Sequence, residues 1–294
     1  MSAALSAIRE LYRLQSPCRL CPRRCGARRR DGQAGVCRAN DELRIASVTL
    51  HHGEEPPISG TRGSGTIFFS HCTLHCLFCQ NWPISRRGVG EVYRVDQLAE
   101  AMLRLQRRGA HNVNLVNPTH YWPQIAAAAY LARRRGLTIP LLANSNGFER
   151  VEVLALLTAT VQIWLPDIKY LSPDMAHDLS GYRWLPAANW QAIDWLVDHY
   201  GPLHLDEKGL ADAGMLIRHL VLPGRLEESR RVLYKLKRRY KNAIPISLMT
   251  QYFPAHQAVS REGLNRSLHR RERERAWRTA RRLGLTRGWR QVDG

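Results

Sequence analysis

The chain has 294 residues, 44% of them apolar, and no uninterrupted apolar run approaches the ~18 residues a membrane helix needs. That length suits one large domain, or one domain with an appendage. Its 44 basic and 25 acidic residues leave a net charge of +19, which raises nucleic acid as a partner. Yet the basic side is almost all arginine, and much of it lies in helical stretches such as 104–108, 133–135 and 270–282, the pattern of solvated helix faces, with no aromatic-interleaved RNA motif beside it.

In chain order, Leu5, Ile8, Leu11 and Tyr12 recur at helical spacing and predict a short amphipathic helix. No charged start leads into an apolar core there, so this is not a secretory signal. Cys18-x2-Cys21-x3-Cys25-x11-Cys37 follows, four thiols within twenty residues and a full ligand set for zinc or an iron–sulfur cluster. Without metal such a glycine- and proline-rich segment has little to fold around. Zinc would make it a structural knuckle, whereas a cluster could relay electrons; spacing does not separate the two, and zinc or a structural role is the reading preferred here. All seven cysteines fall between positions 18 and 79 in two groups. Grouped thiols in a chain without a secretory signal point to metal in a reducing cytoplasm rather than to disulfides.

From residue 65 onward short apolar runs alternate with helical patterns. Strands are predicted over residues 66–70, 112–117, 139–144, 161–166, 216–222 and 244–249. Helices are predicted near 95–108, 122–135, 150–157, 189–199, 226–240 and 270–283. This alternation specifies a parallel sheet with helices outside it. Six units suggest an α/β fold in which a partial (β/α)6 TIM-like barrel occupies residues 61–294, after an N-terminal helix and four-cysteine segment in residues 1–60. In such barrels reactive groups collect at the C-terminal ends of the strands.

Directly after the first of these strands comes Cys72-x3-Cys76-x2-Cys79. Three thiolates on one loop can hold three corners of a cubane [4Fe–4S] cluster, and no cysteine follows Cys79 to hold the fourth iron. That iron would stay open to a ligand that is not protein. The competing reading is tetrahedral zinc with His71 or His75 as the fourth ligand. The other strand ends are polar: Asn117-Pro118-Thr119-His120, Asn144-Ser145-Asn146-Gly147, Asp167-Ile168-Lys169, Arg218-His219 and Met249-Thr250-Gln251. Such a ring suits a zwitterionic, hydroxyl-rich ligand. Asp167 and Lys169, two apart, can face one side of the pleat.

With these residues in view, GSGTIFFSHC-x3-C-x2-CQNWPIS, NLVNPTHY, LPDIKY, RHLVLPG and MTQYFP together resemble one branch of the radical S-adenosylmethionine (SAM) superfamily, related to the pyruvate formate-lyase activating enzymes. The resemblance covers nearly the whole chain and implies the partial-barrel fold. It implies that Cys72, Cys76 and Cys79 carry the catalytic [4Fe–4S] cluster, that the open iron chelates SAM, and that Phe78 packs near the adenine. An electron from a low-potential donor would then cleave SAM to methionine and a 5′-deoxyadenosyl radical. Asp167-Ile168-Lys169 matches an Asp-x-Lys beside SAM in the activating enzymes, and with Asn144 supplies the SAM-pocket candidates; Thr119, His219 and Gln251 are held more loosely. Activating enzymes take a hydrogen atom from a glycine of a partner protein, the glycyl radical enzyme. Asn117-Pro118-Thr119 stands where Gly-Gly-Glu is expected, a departure that bears on both SAM binding and partner. Gly53-Glu54-Glu55-Pro56 looks like that motif but precedes the first strand and is not carried over. RNA modification and a non-enzymatic zinc adaptor are the alternatives.

Overall fold

A computed structural model describes residues 3–291 of the chain. The N-terminal periodicity becomes α1 (Ala3–Gln15), which buries Leu11 and Leu14. The chain then runs through β1 (Leu43–His51), α2 (Pro56–Ser59), β2 (Ser64–Phe69), α3 (Trp82–Arg87), β3 (Glu91–Tyr93) and α4 (Val95–Arg107). Next come β4 (Val113–Val116), α5 (Trp122–Arg134), β5 (Leu141–Ser145), α6 (Val151–Leu156) and β6 (Ile163–Pro166). The last part holds α7 (Pro173–Ser180), α8 (Leu185–Tyr200), β7 (His204–Leu205), β8 (Ala211–Met215), β9 (Ile217–Leu220), α9 (Leu226–Tyr240), β10 (Ile246–Met249), α10 (Arg270–Arg282) and β11 (Gly288–Gln291).

The strands β2, β4, β5 and β6 pair in that order, all parallel. β8 continues the parallel run against β6. At Leu216 the strand changes partner: the Leu216 N–H donates to the Trp164 carbonyl, while the Ile217 N–H donates to Pro245. β9 therefore pairs in parallel with β10, and β10 with β11. An Asp167–Arg218 bridge carries the seam across the change. The result is an arc of parallel strands with helices outside, the open barrel that the alternation predicts.

Elements beyond the sequence prediction include α2, α3, β7 and β8, and three further features shape the sheet edges and the helical layer. β11 adds a short, polar parallel strand whose four residues carry no apolar run. β1 and β3 extend the other edge, β1 antiparallel to both β2 and β3, so residues 43–51 belong to the main sheet. α7 has a legible start that the periodicity alone misses: Ser172 caps it by accepting the Met175 N–H at 3.2 Å, and Pro173 opens the first turn.

Because β1 runs against β2, its end lies at the N-terminal end of the parallel strands. Residues 52–63 cross beneath them, and Ile58 of α2 packs into the apolar base formed by Leu142, Ile163, Leu165 and Leu216. Each fully buried side chain of this size stabilises by about 1.5–3 kcal/mol. One end of the barrel is thus plugged, which leaves the C-terminal end as the open mouth. No helix among the described residues is long and apolar enough to cross a membrane.

Candidate active site

The three-cysteine loop leaves β2 through His71, which takes up a left-handed backbone conformation at φ 71°. Asn117, ending β4, does the same at φ 58°, and its side-chain amide donates to the His71 carbonyl. Asparagine tolerates this conformation better than most residues. Two strand ends are thereby locked together, and Cys72, Cys76 and Cys79 are presented over the mouth of the barrel.

Each sulfur has polar neighbours. Cys72 accepts from the Leu74 N–H at 3.4 Å and from the Asn146 amide at 3.5 Å, and lies 3.3 Å from the Asn117 Oδ1. Cys76 lies 3.0 Å from the Ser180 hydroxyl, and Cys79 3.2 Å from that of Ser85. Burial, then the charges of Cys76 and Cys79, push the Cys72 thiol up to about 12. Burial likewise raises Cys76, with Lys169 pulling the other way. Holding such groups as thiolates at neutral pH needs a bound cation or cluster.

Among the described residues, no three His, Cys, Asp or Glu side chains close on one point as ligands of a lone ion. His75 is turned away, bonded to the Val36 carbonyl at 3.1 Å. A cubane asks for one thiolate on each of three irons. Three thiols on one loop, with hydroxyl and amide partners and the basic Lys169 and Arg86 within electrostatic reach, fit that requirement.

Beneath the loop lies a cavity of about 340 Å³ whose wall includes all three cysteines, Phe78, Asn144, Asp167, Lys169 and Gln251. Asp167 and Lys169 face it as a pair, Nζ to Oδ2 at 2.5 Å. Burial alone would discharge Lys169, but Asp167 and the Cys76 sulfur more than offset it and hold the ammonium firmly charged. Phe78 is tucked against Tyr252, ring centroids 6.2 Å apart. Between Asn146 and Phe148 the turn requires Gly147, at φ 72°: a Cβ there would meet the Asn189 amide at 2.2 Å and the Asp167 carbonyl at 2.4 Å.

Two loosely held candidates lie elsewhere. Thr119 is buried behind the wall and donates to Glu149 at 2.5 Å. His219 turns outward, its ring bonded to the Ile168 carbonyl at 2.7 Å and to the Ser229 hydroxyl of α9 at 2.9 Å. Its neighbour Arg218 points inward instead, as strand alternation demands. There it binds Glu54 and Glu55, at 2.5 Å each. Glu54 also accepts from Asn114 at 2.9 Å and reaches the cavity wall. The Gly53-Glu54-Glu55-Pro56 stretch thus does meet the cavity, from the plugged end rather than from the end of the second barrel strand. Arg218, Asn117 and Asn146 stood in the polar strand-end stretches without being chosen as candidates, and Glu54 in a stretch that was set aside; Ser85 and Ser180 are support residues that the sequence did not single out.

A family model of the radical SAM superfamily matches residues 66–236, more than half of the chain. An uncharacterised protein of Methanocaldococcus jannaschii is 28% identical over 279 residues, 91% of this chain and 75% of its own length. A second uncharacterised protein of that organism is 24% identical over 144 residues, 43% of this chain and 42% of its own. Among solved structures, SuiB of Streptococcus suis bound to S-adenosylmethionine aligns at a TM-score of 0.51 and 12% identity, covering 75% of this chain and 48% of its own. Another SuiB structure aligns at 0.50 and 14%, covering 76% and 47%. This chain therefore spans about half the length of the SuiB chains, and at such identity the likeness shows the fold alone. Fold and family match agree: the chain belongs to the radical SAM superfamily and is a radical SAM enzyme.

Proposed function

We propose that Cys72, Cys76 and Cys79 hold a [4Fe–4S] cluster and that the cavity beneath them binds SAM together with the group from which a hydrogen atom is taken. When bound, the cluster and SAM supply one-electron chemistry that yields methionine and a 5′-deoxyadenosyl radical. The observation that carries this reading is the convergence of three thiols and one cavity at the open end of the barrel.

The protein's own part is orientation and exclusion. Ser180 beside Cys76 and Asn146 beside Cys72 favour the thiolate forms of those two sulfurs, and the Ser85 hydroxyl lies against Cys79. Lys169, kept charged by Asp167, offers an ammonium beside the cysteine loop and is suited to a carboxylate or hydroxyl of SAM. Phe78 supplies an apolar face on the same wall, suited to the adenine. Residues 52–63, with Ile58 packed into the apolar base, restrict the entry of water from below.

Activation of a glycyl radical enzyme is the finer reading. It is supported by the likeness of Asp167-Ile168-Lys169 to the activating enzymes, and Asn117-Pro118-Thr119 counts against it. The test is anaerobic reconstitution with iron and sulfide, then dithionite and SAM, with 5′-deoxyadenosine and the electron paramagnetic resonance spectrum as readouts. Wild type should give deoxyadenosine and a spectrum that SAM perturbs, and Cys76→Ala neither. A wild-type protein that takes up zinc and no iron would leave the adaptor reading in its place.

A further inference from the structure

We propose that Cys18, Cys21, Cys25 and Cys37 hold a second iron–sulfur cluster rather than zinc, and that electrons enter the barrel site through it. The first half stands alone; the second rests on the radical SAM reading.

The four thiols meet. Gly35 lies against two of them, so that a Cβ there would come within 3.2 Å of the Cys25 sulfur and 3.4 Å of the Cys37 sulfur. Burial, then the charges of Cys37, Cys18 and Cys25, act together on Cys21. Backbone N–H groups of Leu20, Arg23 and Ala39 face Cys18, Cys21 and Cys37. A segment that surrounds sulfur with N–H donors and bare backbone is built to hold thiolates. Four buried or half-buried thiols make a full ligand set for zinc or for a cluster, and it is their placement that separates the two.

Location supplies the second half. Cys21 belongs to the same buried apolar cluster as Leu74, Leu77 and Phe78, on which Cys72 and Cys76 also pack. Three hydrogen bonds join the segments: Arg23 Nε to the Thr73 carbonyl at 2.9 Å, His75 to the Val36 carbonyl at 3.1 Å, and Arg38 to the Arg86 carbonyl at 2.9 Å. Thr73 and His75 lie between the cysteines of one set, and Val36 directly precedes a cysteine of the other. Zinc is redox-inert and needs no such placement; an electron carrier does.

The outer face shows what delivers the electron. Arg19, Arg24, Arg28, Arg30 and Arg38 are exposed around the four cysteines, and Asp31 is the sole acidic residue between 18 and 38. That rim fits an acidic, low-potential carrier protein of the ferredoxin type. One electron leaves the carrier, which is oxidised; it reduces the second cluster, passes to the three-cysteine site, and is consumed in breaking the C5′–S bond of SAM. No bond breaks at the four-cysteine segment and no proton is taken up there.

The full chain carrying Cys72→Ala, Cys76→Ala and Cys79→Ala together separates the two sites. After anaerobic reconstitution it should keep absorbance near ~400 nm and, once reduced, a paramagnetic signal indifferent to SAM. Stoichiometric zinc without iron in that variant overturns the proposal. Relay is tested with Arg24→Glu/Arg28→Glu/Arg30→Glu, which leaves every cysteine in place. The ratio of deoxyadenosine formed with reduced ferredoxin to that formed with dithionite should fall about tenfold or more. An unchanged ratio overturns the relay. Iron retained by the triple cysteine variant, with no deoxyadenosine from wild type by either reductant, would refute radical SAM chemistry and still support the second cluster.

Discussion

At the open end of the barrel, Lys169 and Asp167 pair one cation with one anion, their side chains 13% and 20% exposed. At the plugged end, Arg218 pairs with two carboxylates, Glu54 and Glu55, and is 7% exposed while they are 10% and 0%. Both groups are buried charges, yet they answer to different demands. The upper pair keeps polar atoms on the cavity wall, where a ligand can use them. The lower trio also touches the cavity wall through Arg218 and Glu54, but it balances its charges internally and ties residues 52–63 to β9 at the base. Burial alone does not mark a functional charge.

Breaking the lower trio should have the largest effect on the fold. Arg218→Met leaves two carboxylates without their cation and is expected to cost about 3–5 kcal/mol in urea unfolding. A cost under about 1 kcal/mol would mean that the plug is held by apolar packing around Ile58 instead.

Protonation sharpens the same contrast through sign. Burial pushes Glu149 up to about 6, although Thr119, Ser145 and Trp122 all donate to it. Its raised value means that the folded state holds the proton more tightly, so its contribution is present below the ordinary carboxylate value and is lost as pH rises to about 6. That loss amounts to at most about 2 kcal/mol. Glu55 runs the other way: burial opposes its charge, but Arg218 wins and holds it below its ordinary value. Its contribution is present at neutral pH and is lost as pH falls through that lowered value. Melting curves across pH 4.5 to 6 (range set by the ordinary and shifted values of Glu149) should therefore flatten in Glu149→Gln relative to wild type. Parallel pH profiles would assign the slope to other groups.

At the open end the effect should appear in binding more than in stability. Lys169→Met is expected to weaken SAM affinity by about tenfold, or about 1.4 kcal/mol, while costing less in unfolding than Arg218→Met. The reverse order would make the upper pair structural. The smallest effect should come from Ser180→Ala, which removes one hydroxyl from Cys76. A shift of the cluster's reduction equilibrium equivalent to about 1 kcal/mol is expected, with the cluster retained. Loss of the cluster would show that Ser180 positions the loop.

The two cysteine groups were legible because their members lie close together along the chain. Cys72, Cys76 and Cys79 lie within eight residues, and their spacing alone constrains what they can hold. The six main strands and their helices were legible for the same reason, through period and punctuation over short windows. What escaped depended on partners far away in the chain. β11 is a strand because β10 offers it an edge, and β1 joins the sheet through pairing with β2, neither of which periodicity can express. Arg218 was overlooked beside His219 because choosing between neighbours needs the absolute phase of the strand, which the barrel fixes by deciding which face is inside. Glu54 and Arg218 are 164 residues apart, and only closure of the base brings them together. The sequence by itself determined which thiols lie together along the chain and the order of the main strands and helices. The tertiary structure decided which charges face the cavity, because that depends on the direction of each side chain within a closed wall rather than on its identity.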